Sequence, residues 1–213
     1  MTGFLNIILL SLLVSGVATL AGGFLGSLAG LALGLWDFPG RPSLLRLIRT
    51  LMGMPPVVAG LLVYLALSRR GPLGVLGLLF TPTAMIVAQT LLVFPIVTGM
   101  VAAIVALTDA RARQTALAAG ATRTQAALSV AWEAWPGMVA AVVAGFGRAI
   151  GEVGAVMLVG GNIGGRTRVM TGAIFLETRQ GNFSTAILLG LILLAVAFLV
   201  NLALERLERL VPR

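Results

Sequence analysis

The stretch Thr108-Asp109-Ala110-Arg111-Ala112-Arg113-Gln114-Thr115-Ala116-Leu117-Ala118-Ala119-Gly120-Ala121-Thr122-Arg123-Thr124 is a long polar break between two blocks of hydrocarbon-like sequence. It is patterned as a helix, a glycine stop and a second helix start. Gly120 stands where a residue in the left-handed region ends a helix. Thr122, with Gln125 three positions on, has the spacing of a capping box that opens the next helix. A short helical hairpin over residues 108–126, anchored in lipid at both ends, presents its side chains to water. That is the form of a docking device.

Outward from this stretch the chain is apolar. Of its 213 residues 59% are hydrophobic and 10% charged, and the mean hydropathy of +1.06 belongs to an integral membrane protein, not a soluble domain. Cysteine and histidine are absent, which removes thiol chemistry, imidazole bases and the usual zinc constellations. The net charge of +8 is a topology signal before it is a nucleic-acid signal, because arginine collects on the cytoplasmic side of a membrane protein. No nucleic-acid partner is expected. The apolar N-terminal run lacks a charged leader region and reads as a retained span.

The run over residues 4–35 exceeds the roughly 20 residues needed to cross hydrocarbon and predicts one overlong or tilted helix. Gly22, Gly26, Gly30 and Gly34 recur every fourth residue and place a smooth ridge on one side. The ridge suits a seam with a second subunit or close packing within the chain. A turn at residues 36–42 leads to a second span over residues 44–67, in which Pro55 and Pro56 interrupt the backbone ladder at membrane depth. Such a break persists in lipid only where it is covered by protein or lines a cavity, so these prolines either line a path or make a structural kink. After a polar loop at residues 68–72 no charge occurs from 73 to 107. Thr81-Pro82 divides a short interfacial or re-entrant piece from a span over residues 83–107, kinked near Pro95. A fourth span is expected over residues 136–159, carrying Arg148 and Glu152 four residues apart on one helical face. Ionisable groups at that depth are costly unless paired or facing water. They mark either a functional site or a self-neutralising pair. The glycine-rich loop Gly160-Gly161-Asn162-Ile163-Gly164-Gly165-Arg166-Thr167-Arg168 offers free backbone N–H groups and two arginines to an oxyanion, or serves as a linker. A short helix over residues 171–177 and a last span over residues 183–204 complete the chain.

The result is an all-α polytopic bundle of about five transmembrane helices, six if both pieces around Pro82 cross, in a single domain over residues 1–213. With the hairpin cytoplasmic, Arg41, Arg46, Arg49, Arg111, Arg113, Arg123, Arg206, Arg209 and Arg213 fall inside, and Arg69, Arg70, Arg166, Arg168 and Arg179 outside. The N-terminus is then external and the C-terminus cytoplasmic.

At the hairpin the sequence resembles the permease subunits of binding-protein-dependent ABC importers, whose cytoplasmic loop reads Glu-Ala-Ala, three residues, Gly, nine residues, Ile-x-Leu-Pro. Gly120 matches the central glycine, and Gly120-Ala121-Thr122-Arg123-Thr124-Gln125-Ala126 is similar to its continuation. Gln114-Thr115-Ala116 stands where Glu-Ala-Ala is expected, and Trp132-Glu133 near the Leu-Pro position. Further on, Gly147-Arg148-Ala149-Ile150-Gly151-Glu152-Val153-Gly154 resembles the Arg-x-x-Gly-Glu-x-Gly signature of the molybdate, tungstate and sulfate branch, and Gly160-Gly161-Asn162-Ile163, Thr167-Arg168-Val169-Met170-Thr171 and Leu176-Glu177-Thr178 are closer still to the tungstate permeases.

The resemblance implies the type I importer permease (MetI-like) fold in the cell inner membrane. It implies a homodimer of permeases, two cytoplasmic ATPase subunits that hold ATP and Mg, and an external oxyanion-binding protein. On this reading Ala116, Leu117 and Ala119 seat in a groove on the ATPase, with Gln114, Thr115, Gly120, Ala121 and Thr122 shaping the hairpin and Arg111, Arg113 and Arg123 meeting acidic rim groups. Pro55, Pro56, Pro95, Arg148 and Glu152 belong to the path or its gate, and Gly160, Gly161, Asn162, Arg166 and Arg168 to the external loop. No Walker A loop occurs and there is no lysine, so the energy comes from a partner; the chain is a transport subunit without a cofactor of its own. Molybdate or sulfate transport is the alternative within the class. Outside it stands an ATP-independent anion transporter or channel that uses the Arg148 and Glu152 pair for coupling. An embedded enzyme would need paired carboxylates, and Glu133, Glu152 and Glu177 fall at three different depths.

Overall fold

The computed structural model describes the backbone of residues 2–210, and their side chains apart from 2, 109–114, 204, 205 and 207–210. It is helical throughout: α1 (Thr2–Leu35), α2 (Arg41–Met52), α3 (Pro56–Leu67), α4 (Pro82–Ala118), α5 (Arg123–Ile150), α6 (Gly154–Gly160), α7 (Met170–Arg179) and α8 (Phe183–Leu210), with a single 3₁₀ turn at Gly74–Leu76. Among the described residues there is no strand. Four helices are long and apolar enough to cross a membrane, and a fifth crossing results if the bent pair α2 and α3 counts as one.

The bundle is built on α1 and α4. A Cβ at Gly22 or Gly26 would come within 3.0 Å of Val93 or Val97, one at Gly30 within 2.6 Å of Val101, and one at Gly34 within 2.5 Å of Val105. The constant offset means that the two helices run in the same direction, with the bare glycine ridge in contact with a valine row. Of the two uses expected for that ridge, packing within the chain is the one observed. α5 returns antiparallel along the same surface, Gly137 beside Ile104 and Gly145 beside Val93 and Val97. A core of Val93, Val97, Val101, Val105, Val130 and Ala141 forms where they meet.

The second span differs from its expectation. α2 and α3 meet at 102°, a corner and not a kink. Pro55 is the N-cap of α3 and Pro56 its first residue, positions that need no backbone N–H. α2 differs from α3 in being three-sided where α3 is apolar. Leu45 and Ile48 pack toward Leu33 and Ala102, Leu44 and Leu47 are exposed, and Arg46 and Arg49 occupy the remaining arc. The fourth span also ends early. α5 stops at Ile150, so Glu152 lies beyond it, and residues 154–160 form the separate helix α6. By contrast α4 is a single helix of 37 residues through the buried Pro95 and into the hairpin. The expected short first helix of the hairpin is the end of this long one.

Trp36, Trp132 and Trp135 are all well exposed and lie near the end of the bundle where α1 finishes and α5 begins, as an aromatic belt at a membrane boundary would. At the opposite end the Ser11 hydroxyl accepts from Met170 N at 2.7 Å and fixes α7 against α1.

Candidate functional site

Three sites expected from sequence are spread over three levels of the bundle. The first is the elbow between α4 and α5. Gly120 has φ +88°, and the chain reverses through two bonds, Gly120 N to Leu117 O and Ala121 N to Ala116 O, each 3.0 Å, the pattern that closes a helix around a left-handed residue. The Thr122 hydroxyl accepts from Gln125 N at 3.3 Å, and Gln125 Oε1 accepts from Thr122 N at 2.8 Å. The capping box is complete. Leu117, Ala119, Gly120, Thr122 and Arg123 are exposed, and Ala116 and Ala121 half-buried. The outer face of the elbow is therefore open and not folded into its own bundle. Arg111, Arg113 and Gln114 fall on the α4 backbone, but their side chains lie outside the described residues; Thr115 is exposed. The loop after α1 reaches the same end. Trp36 and Asp37 border a cleft of about 330 Å³ together with Arg123 and Thr124, and Asp37 is ion-paired with Arg41.

The second site lies halfway through the bundle. Gln89 Nε2 donates to Ala149 O at 2.9 Å, and the neighbouring Thr90 hydroxyl donates to Ala18 O at 3.5 Å, so the end of α5 is level with the middle of α1. There Arg148 Nη1 donates to Glu152 Oε2 at 2.6 Å. The Glu152 side chain is 4% exposed and that of Arg148 35%. The pair expected from sequence forms, but across the end of a helix and not along its face. Its second carboxylate oxygen accepts from Ala155 N at 3.1 Å and so caps α6, while the Thr171 hydroxyl donates to Glu152 O at 2.8 Å.

An interrupted helix at this depth leaves backbone groups that lipid cannot satisfy. Gln89, Thr171 and the Glu152 carboxylate supply the partners. Gln89 was not singled out from sequence, and Thr171 only as the end of the stretch Thr167-Arg168-Val169-Met170-Thr171, with no role assigned. The lone glutamine in an otherwise apolar span was the available signal. Pro55 and Pro56 come to the same place: a Cβ on Gly154 would meet Val57 Cγ2 at 2.8 Å, with Glu152 Oε1 at 3.5 Å and Val57 N at 3.7 Å. Two broken helices thus meet at one carboxylate. Pro95 belongs to α4 and is buried nearer the α2 side, beside Phe94, which packs with Ile48 and Leu33.

The third site is the glycine-rich loop. It is a folded structure and not a slack linker. Thr167 is buried, its hydroxyl donating to Gly160 O at 2.6 Å and accepting from Ile163 N at 2.9 Å. Asn162, at φ +51°, donates to Gly172 O at 3.1 Å. Arg168 Nη2 donates to Asn162 O at 3.4 Å, while its Nε is buried with no acceptor. Arg166 is exposed. Among the described residues no group of acidic, histidine or cysteine side chains is placed to hold a metal.

Known proteins share this sequence and shape. The chain is 46% identical over 206 residues to a probable anion ABC transporter permease protein of Haloferax volcanii, covering 94% of this chain and 89% of that protein. It is 40% identical over 203 residues to the tungstate uptake system permease protein TupB of Peptoclostridium acidaminophilum, covering 95% and 89%. Among solved structures, an inward-facing form of the MetNI methionine ABC transporter superposes with a TM-score of 0.82 at 19% identity, over 100% of this chain and 98% of the matched one; this shows the fold. The description of binding-protein-dependent transport system inner membrane components matches residues 22–213, and the chain belongs to that family.

Proposed function

We propose that this chain is the membrane-spanning subunit of an ATP-driven oxyanion importer, with tungstate as the preferred cargo and molybdate or sulfate as the alternatives. The observation that carries the reading is the 40% identity, over 95% of the chain, to a protein named as a tungstate uptake permease. The exposed elbow supports it mechanically: force from a cytoplasmic ATPase pushing on Ala116, Leu117, Ala119 and Arg123 enters α4 and α5 together. Two copies of the chain enclose the path, and an external binding protein delivers the anion at the end bearing Gly160, Gly161, Asn162, Arg166 and Arg168. The elbow is cytoplasmic, the N-terminus external and the C-terminus internal, in keeping with Arg41, Arg46, Arg49 and Arg123 gathering at the elbow end.

In this assignment the meeting point of the two broken helices is the gate. Pro55 and Pro56 end one helix, Arg148 and Glu152 pin the other, and Pro95 lets α4 bend between gate and elbow. An anion passing the pair meets Arg148 with its charge already balanced by Glu152, so it is attracted without being trapped.

The test is reconstitution of the permease with its ATPase and binding protein in liposomes. Tungstate uptake is expected only with ATP and both partners. Uptake by the chain alone without ATP would replace this reading by a secondary transporter. Leu117→Arg is expected to lower ATP-dependent uptake at least roughly tenfold, about 1.4 kcal/mol of docking free energy, with the permease still folded.

A further inference from the structure

At the end of the bundle away from the elbow, α1, α8 and the glycine-rich loop enclose a cleft of about 640 Å³. Its walls include Ile7, Leu10 and Leu13 of α1 and Leu189 of α8, and its rim carries Arg166 and Arg168. Depth is set by the bond between Thr90 and Ala18 near the middle of α1. At about 1.5 Å per residue, Leu13 lies ~8 Å from that level and Gly3, also in the wall, ~23 Å, so the cleft crosses the edge of a hydrocarbon layer about 15 Å in half-thickness. Leu9 and Leu13, both in its wall, are more than half exposed, and the lining continues onto the lipid-facing side of α1.

A basic rim above a hydrocarbon wall is the inverse of what an inorganic anion needs. A hydrated dianion gains nothing from leucine walls and loses water on entry. An amphiphile gains at both ends, since each methylene buried raises affinity roughly fourfold. The local charge points the same way. Glu177, also in the cleft, holds Asn182 Nδ2 at 2.9 Å, so Arg166 and Arg168 less Glu177 leave one net positive charge, the complement of a phosphodiester. Arg166 is exposed and Arg168 half-buried, and both border the cleft, so their guanidinium groups supply the charge-assisted donors that a phosphate oxygen takes.

We propose that this cleft holds an anionic phospholipid, its phosphate between Arg166 and Arg168 and an acyl chain along α1 and α8. The site shares Arg166 and Arg168 with the end where the anion is delivered, and its occupancy is read without transport.

The protein is reconstituted in nanodiscs of phosphatidylcholine with a minority of phosphatidylglycerol, and the lipids that remain bound are read by native mass spectrometry. Wild type is expected to retain phosphatidylglycerol above its bulk share. Arg166→Gln with Arg168→Gln should lower that enrichment roughly tenfold or more, since each basic group near the surface contributes a factor of about five. Arg166→Gln alone, at an exposed side chain, should lower it several-fold should the double variant not fold. Arg179→Gln, at the same end but outside the cleft, should leave it unchanged. Leu13→Trp keeps both arginines and fills the apolar wall, and should lose the bound lipid. Equal enrichment in wild type and Arg166→Gln overturns the proposal. Displacement of the lipid by millimolar inorganic phosphate, with Leu13→Trp inert, also overturns it and makes the cleft an oxyanion subsite. Cross-linking of Leu13→Cys to a second copy in place of lipid overturns it in favour of a subunit contact.

Discussion

The elbow and the mid-bundle break are both points where one helix ends and another begins, yet they are held by opposite means. The elbow is held by bonds between residues no more than five apart: Gly120 to Leu117, Ala121 to Ala116, Thr122 to Gln125. At the break the local bonds of Glu152 to Arg148 and to Ala155 N are joined by partners from elsewhere, Gln89 from sixty residues away and Thr171 from nineteen. A water-facing turn can be specified locally because solvent satisfies whatever the turn leaves over. A turn inside the bundle needs its polar partners supplied by other helices, so its shape is a property of the whole assembly. On the proposed coupling, a stroke delivered at the elbow would leave the elbow intact and rearrange the contacts made at a distance.

The largest effect that would test this contrast is expected at Glu152. Glu152→Ala leaves Arg148 without its partner and Ala155 N without an acceptor, and should cost about 3 kcal/mol in detergent unfolding. A loss no greater than that of an elbow variant would break the comparison. Next, Gly30→Leu forces side-chain atoms against Val101 and the Thr98 carbonyl, which a Cβ alone would approach to 2.6 and 2.8 Å. About 1–3 kcal/mol is expected, with α1 separating from α4 as read by cysteine cross-linking between them. Gln89→Leu strips the Ala149 carbonyl of its donor and should cost about 1–2 kcal/mol. It sharpens the comparison if the loss is matched by faster hydrogen exchange near Gly151 and none at the elbow. Smallest is Thr122→Ala, about 1 kcal/mol, visible as faster exchange at residues 122–126 while the global unfolding midpoint stays in place.

The same contrast explains how much of the molecule was legible in its sequence. Gly120 and the spacing of Thr122 and Gln125 state the elbow outright, because cap chemistry is local. The four-residue glycine period along α1 told of close packing, though the row it meets had to be seen in space. Arg148 and Glu152 were legible as a pair, but the end of α5 between them was not. Residues 147–154 have no proline and read as continuous helix; the chain breaks there because Thr171, Gln89 and the start of α3 converge on it. The second span was legible as broken, but the angle between its halves was not. Pro55-Pro56 marks a break, but its 102° angle depends on Leu45 and Ile48 packing on Leu33 and Ala102, partners distant in the chain.

The parallel pairing of α1 with α4 also has a temporal side. Each ridge glycine meets a valine seventy-one positions later in the chain, and at about 5–20 residues per second of synthesis that interval lasts roughly 4–14 s. During that wait the first helix stands in the bilayer with its notched side filled only by lipid tails, available to any other helix with a small-residue surface. Assembly of the nascent chain is thereby ordered, since the fourth helix must emerge before the first can settle, and a ribosomal pause between them would lengthen the window in which the wrong neighbour can dock.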